Sequence, residues 1–277
     1  MAKKQEPVDT QRYRVHPGGK IHLEKIDPED TSAFSADKDS AVKQLDRLKE
    51  SLDSFQELLY AEHKHRVLIV LQGMDTSGKD GTIRHIFEGV NPQGVRVACF
   101  KAPSADESDH DYLWRIHQQM PKKGEIVIFN RSHYEDIVTV SVCGLANAHV
   151  WEKRYGHIIE FERMLTDEDT TILKFFLHID EKEQKKRLLK RIDDPAKHWK
   201  FSADDIAKRK FWPEYMSAYS RALSLTSTDY APWYVIPANK KWYRNLLIAS
   251  VIVDTLRSLR MKYPAMKEKI PLKELRG

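Results

Sequence analysis

Residues 66–82 read Arg66-Val67-Leu68-Ile69-Val70-Leu71-Gln72-Gly73-Met74-Asp75-Thr76-Ser77-Gly78-Lys79-Asp80-Gly81-Thr82. The first seven form a continuous Val/Leu/Ile run without polar alternation, as expected of a parallel strand buried on both faces. Gly73 to Lys79 follows at once in the form G-x-x-x-x-G-K, and a helical apolar spacing begins at Ile83, Ile86, Phe87 and Val90. A strand, a glycine loop and a helix in that order predict a phosphate-binding loop; the alternative is an accidental glycine turn. Glycine lets the backbone turn so that successive N–H groups converge on phosphate oxygens. The helix N-terminus adds partial positive charge, and Lys79 adds a mobile point charge. Gly73, Thr76, Ser77, Gly78, Lys79, Asp80 and Gly81 are thus candidate phosphate contacts. Where the usual pattern has a metal-ligating Ser or Thr after the lysine, this chain has Asp80. The Mg²⁺ (or Mn²⁺) that phosphoryl transfer uses is therefore expected on other ligands, with Asp75 a candidate.

Outward from the loop, apolar runs at Val95–Phe100, Glu125–Phe129, Thr171–Ile179 and Trp233–Ile236 predict four more strands. Helical patterns lie between and around them: 40–62, Tyr112–Gln119, Trp151–Leu165, Glu181–Arg191 and Trp242–Met261. This alternation predicts an α/β fold, a P-loop NTPase-type three-layer arrangement with a parallel sheet and a helical lid. The polar, proline-bearing residues 1–35 are expected to form an extended arm. Residues 36–265 form the kinase-like domain, with the lid at about 181–215, and 266–277 form a tail.

The third predicted strand ends in Asn130-Arg131-Ser132-His133-Tyr134-Glu135-Asp136, and ligands of open α/β sheets collect at such strand ends. Arg131 can neutralise charge on a migrating phosphoryl group, and Glu135 and Asp136 are candidate acids and metal ligands. The ordinary alternative is a solvated loop, and His133 reads better as a packed histidine than as a catalyst. Arg115, with Tyr134, is assigned to an acceptor nucleotide; a plain helix-surface arginine is the alternative. From Glu181 to Lys210 there are eleven Lys/Arg against six Asp/Glu. Such a row can grip a long polyanion through its backbone charge alone. The lack of aromatics within Glu181–Arg191 disfavours single-stranded nucleic acid, which also needs stacking platforms.

Composition sets outer bounds. With 41% hydrophobic and 31% charged residues and a net charge of +5, the chain is expected to fold, and its charge does not single out nucleic acid. Cys99, in an apolar run, is expected to be a buried thiol, and the two cysteines suggest neither a disulfide framework nor a metal motif. No leader-like or membrane-length apolar segment is visible, so a cytoplasmic protein without a membrane partner is expected.

Taken together, these stretches resemble the family-2 polyphosphate kinases. The shared segments are Gly73–Thr82, Asn91–Gly94, Asp111–Gln118, Phe129–Asp136, His198-Trp199-Lys200-Phe201 and Ala231–Ala238, and the likeness spans about residues 10–265. The resemblance implies a thymidylate-kinase-like fold with a lid, magnesium as cofactor, and inorganic polyphosphate and adenine nucleotides as substrates. It implies Asp75 and Lys79 as the loop's acid and lysine, Arg131 as a phosphate ligand, and Arg187, Arg191, Lys197 and Lys200 as lid cations on polyphosphate. Asn130 together with Glu135 and Asp136, and Asp80 after Lys79, is similar to the class III subgroup, which phosphorylates both AMP and ADP. There Glu135 takes over part of the metal-binding role of the Asp found elsewhere at position 130, or polarises the acceptor. A homo-oligomer, dimer or tetramer, is expected, with no nucleic-acid partner. The rival functions are an ATP-dependent nucleoside monophosphate kinase, which would not need the long cation row, and a non-catalytic nucleotide switch.

Overall fold

The computed structural model describes residues 8–200 and 203–265. The expected tail at 266–277 and Phe201 lie outside the described residues, as does the side chain of Lys200. In chain order the elements are α1 (Lys38–Glu62), β1 (Arg66–Gln72), α2 (Lys79–Ile86), β2 (Val95–Cys99), α3 (Ala105–Asp109), α4 (Trp114–His117) and β3 (Ile126–Asn130). They continue with α5 (Glu135–Val142), α6 (Ala148–Asp167), β4 (Thr170–His178), α7 (Glu181–Ile192), α8 (Ala203–Arg209), α9 (Trp212–Thr226), β5 (Trp233–Pro237) and α10 (Lys241–Ser258).

The strands form one sheet in the order β2-β3-β1-β4-β5, and every neighbouring pair is parallel. Side chains alternate along a strand, so β1 feeds two cores. Val67, Ile69 and Leu71 pack with α1, α2 and α10, whereas Leu68 and Val70 pack with α5, α6 and α9. This double burial explains the unbroken apolar run of β1 and produces the expected three layers. The chain leaves β1 towards β2 but leaves β3 towards β4, on the opposite side. Strand order therefore reverses between β1 and β3, and a crevice opens at their carboxyl ends, where α/β sheets bind ligands.

Several expectations are modified. The described part of the arm is not merely extended: it carries two 3₁₀ turns, Thr10–Tyr13 and Leu23–Lys25. Tyr13 and Phe34 enter one core, Val15 and Leu23 the other. Val15 N–H donates to Trp233 O (2.8 Å), so the arm covers the edge of β5 that would otherwise lack a partner. Cys99 is exposed rather than buried, because β2 is an edge strand and Cys99 is its last residue. The helix expected at Tyr112–Gln119 shrinks to α4, while α5 and α9 were not anticipated. Among the described residues no helix is long and apolar enough to cross a membrane.

Candidate active site

The phosphate loop connects β1 to α2 through backbone conformations that side chains resist. Gly73 has φ 145° and Gly78 has φ 109°. A Cβ on Gly73 would lie 2.7 Å from Leu177 O, and one on Gly78 would lie 2.0 Å from Arg244 Nη1. Both glycines therefore answer close approach as well as dihedral angle. Gly78 caps α2 without a side-chain acceptor, which leaves the first N–H groups of that helix open to the cleft. The hydroxyls of Thr76, Ser77 and Thr82 are buried and have no hydrogen-bond partner among the described residues. Buried polar atoms are normally paired, so three such hydroxyls at one loop suit an oxygen-rich ligand.

Two arginines contact the loop's carbonyl groups. Arg187 Nε donates to Glu183 Oε1 (2.8 Å), Nη1 to the carbonyls of Thr76 (3.0 Å) and Ser77 (2.8 Å), and Nη2 to those of Ala238 (2.7 Å) and Asn239 (3.1 Å). A guanidinium has five N–H donors, and each of them is used here. Arg187, expected to grip polyphosphate, instead fixes the loop and reaches an anion by charge rather than by a hydrogen bond. Arg244 lies against it. Its Nε and Nη2 donate to Asn245 Oδ1 (3.1 and 2.8 Å), and Nη1 approaches Ser77 O at 3.4 Å. Burial and the charge of Arg187 push the Arg244 guanidinium down to about 9. No motif marked Arg244; its one signal is a cation within the apolar run of α10.

Lys79 curls back over the loop and donates to Gly73 O (2.7 Å) and Met74 O (3.3 Å). Burial, reinforced by Arg131 and opposed by Asp75, Glu135 and Asp80, pushes its ammonium down to about 8. Arg131 follows β3 in a left-handed conformation (φ 64°), with its N–H on Leu71 O (3.1 Å), and its guanidinium pairs with Asp75. Asn130 Nδ2 donates to Asp80 Oδ1 (2.6 Å), which ties the end of β3 to the first turn of α2. Glu135 begins α5, accepts from Thr139 Oγ1 (2.6 Å), and shares a small cavity with Asp75, Arg131, Tyr215 and Tyr219. The structure thus brings together Asp75, Lys79, Arg131 and Glu135, the residues expected to carry the chemistry.

Other expected site residues are placed differently. Tyr134 is 1% exposed and points into the core, not at a nucleotide. Its hydroxyl donates to Glu162 Oε1 (2.9 Å) and accepts from Lys174 Nζ (3.0 Å). His133 is packed in the same buried network, 3.4 Å from Glu162 Oε1. Burial alone would raise the Glu162 carboxyl, but Lys174 and His133 hold it below the ordinary range. Asp136 is not displayed as a metal ligand: it lies 3.4 Å from Arg115 Nη2. Arg115 in turn donates to Lys101 O (2.8 Å), lies 3.6 Å from Glu107, and is a buried member of this ion-pair cluster rather than an open acceptor site. Burial raises the Asp136 carboxyl despite Arg115 and Arg154.

Beside the loop a large cleft is lined by Arg187, Lys190, Arg191, Lys197, Trp199, Lys241 and Arg244 and also by His85, Cys99, Phe100, Lys101 and Asn130. Lys241 is lowered by burial and by the neighbouring charges of Arg187, Arg244 and Lys190. Among the described residues no group of three or more His, Cys, Asp or Glu could hold a metal ion by itself. Asp75 and Glu135 in one cavity still suit Mg²⁺, which binds through one or two carboxylates and takes its remaining ligands from water and substrate phosphates.

Comparison with known proteins agrees with this arrangement. The polyphosphate kinase 2 (PPK2) family model matches residues 35–264. The chain is 58% identical over 253 residues to the AMP/ADP-polyphosphate phosphotransferase of Meiothermus ruber, covering 91% of this chain and 95% of that protein. It is 43% identical over 269 residues to the ADP-polyphosphate phosphotransferase of Rhodopseudomonas palustris, covering 93% of each. The crystal structure of Polyphosphate Kinase 2 from Arthrobacter aurescens TC1 aligns with a TM-score of 0.93 at 40% identity, over 99% of this chain and 98% of that one.

The loop geometry predicts the effect of Gly78→Ala. A left-handed non-glycine residue costs about 1–3 kcal/mol, and the new Cβ would collide with Arg244. Thermal unfolding should shift down and phosphoryl transfer should fall by at least about tenfold, the equivalent of ~1.4 kcal/mol in the barrier. Adding Arg244→Ala should recover part of the loss in stability by removing the collision. A Gly78→Ala protein with native melting and turnover would contradict this reading.

Proposed function

This chain belongs to the polyphosphate kinase 2 family, and from that premise we propose that it transfers the terminal phosphoryl group of inorganic polyphosphate to AMP and to ADP, reversibly. The observation that carries this reading is the cation-lined cleft beside the phosphate loop. Lys190, Arg191, Lys197, Lys241 and Arg244 continue the line of charge beyond Lys79 and Arg131. A nucleoside triphosphate needs only the loop and its neighbours; a chain of many phosphates uses the rest. The AMP/ADP acceptor range is supported by the 58% identity to the Meiothermus ruber enzyme and by Asn130 followed by Glu135.

A phosphate oxygen of the acceptor attacks the terminal phosphorus of the chain. The P–O bond to the next phosphate breaks, and the shortened polyphosphate leaves with that bridging oxygen. The nucleophile is already an anion, so positioning and electrostatics do most of the work. Lys79 and Arg131 neutralise the equatorial oxygens of the migrating group, with the N–H groups at the start of α2 beside them. Asp75 and Glu135 would hold Mg²⁺ or Mn²⁺, which would supply positive charge against that developing on the phosphates. Arg131 is paired with Asp75 before substrate arrives, so each is kept in place for the partner it will meet.

The direct test is chromatography of nucleotides after mixing the purified chain with Mg²⁺, long-chain polyphosphate and AMP, without ATP. ADP and then ATP should appear. ADP formed from AMP only when ATP is supplied would give the site to an ATP-dependent monophosphate kinase. A pH series adds a second check. Lys79 is lowered to about 8 in the unliganded protein, so its positive charge is present below that pH and lost above it. Because kcat/KM reports groups of the free enzyme, kcat/KM for polyphosphate should bend downward near pH 8. A profile flat to pH 10 would remove Lys79 as the phosphate-binding charge.

A further inference from the structure

Trp199 projects from the 3₁₀ turn Pro195–Lys200 that follows α7. It is 79% exposed, the most exposed large apolar side chain among the described residues. The ring is nevertheless held: Nε1 donates to Ala196 O (3.0 Å), within a turn that His198 ties to Ile192 O (2.7 Å) and Asp194 ties to the N–H of Ala196 (3.1 Å). A tethered indole presented to a cleft lowers the ordering cost of whatever stacks on it. The cleft it lines is the one beside the phosphate loop, where the other lining residues from α7 onward are all cations. Inorganic polyphosphate has no apolar face and gains nothing from an indole. A nucleotide acceptor has one such face, its base.

We propose that Trp199 is the stacking platform for the base of the acceptor nucleotide, carried by the lid rather than by the sheet. The inference rests on the reading that the acceptor is a nucleotide. Cys99, the last residue of β2, and Phe100 just after it line the same cleft and add apolar surface that a base entering it would also meet. Stacking is indifferent to the hydrogen-bonding edges of a base. Trp199 therefore favours large purine faces without separating adenine from guanine.

Binding measured without any donor keeps this test apart from the proposed reaction. Isothermal calorimetry of AMP with the full-length wild type, Trp199→Ala and Trp199→Phe reads the base contact, and KM for polyphosphate is the control. Trp199→Ala should weaken AMP by roughly tenfold or more, the loss expected when one base–aromatic stack is removed. GMP should weaken to the same degree. Trp199→Phe should recover most of the affinity, since a phenyl ring still stacks. KM for polyphosphate should stay within about threefold, less than a ~1 kcal/mol change. AMP affinity unchanged in Trp199→Ala would overturn the proposal. So would equal losses for AMP and polyphosphate, which would mean that Trp199 serves lid closure. A wild type that binds AMP through Trp199 yet takes no phosphoryl group from polyphosphate would refute the proposed reaction and leave this site standing.

Discussion

The carbonyl groups of the phosphate loop must be satisfied before its N–H groups can face an anion. Arg187 meets that constraint, with Nη1 on Thr76 O and Ser77 O and Nη2 on Ala238 O and Asn239 O. One side chain thereby joins α7, the loop after β1 and the segment after β5. Because Arg187 lies in α7, the loop and that helix are held as a single mechanical unit. Gln184, one turn earlier, adds a bond from Nε2 to Asp75 O (3.0 Å). The glycines follow from the same constraint: Gly78 leaves the space that Arg244 fills.

Around that unit the cleft carries more cations than carboxylates. Asp75 and Arg131 pair across the crevice between β1 and β3. Lys79, Arg244 and Lys241 are all held below their ordinary values, first by burial and then by neighbouring cations. An anion bound among them would relieve that repulsion. The buried Lys174–Glu162 pair, with Tyr134 as a further partner, anchors the turn that carries Arg131 and Glu135.

The parallel sheet was legible because strands buried on both faces must be continuously apolar, and the loop because glycine-lysine spacing between strand and helix has few other uses. Asp75, Lys79, Arg131 and Glu135 could be named for the same reason: they flank two adjacent strand ends. α5 was harder to see, since Ile137, Val138, Thr139 and Val140 favour strand locally and only packing against α6 and α9 makes that segment helical. Pairings between distant positions were invisible. Arg115 and Asp136 are each plausible site residues until the fold sets them against each other. Tyr134 follows Arg131 by three residues yet is buried in the core, whereas Arg131 lines the cleft. Arg187 was recognisable as a cation, but not as one whose donors are all taken, because beyond Glu183 in its own helix its acceptors come from two other parts of the chain.

The most direct measurement is hydrogen–deuterium exchange of the loop amides at residues 75–80 in Arg187→Lys, combined with steady-state kinetics at two polyphosphate lengths. Lysine keeps the charge but cannot reproduce the planar donor fork. Faster exchange across the loop is expected, with a fall in kcat that does not depend on chain length. Unchanged exchange, with a loss confined to KM and growing with chain length, would mean that Arg187 holds polyphosphate and not the loop.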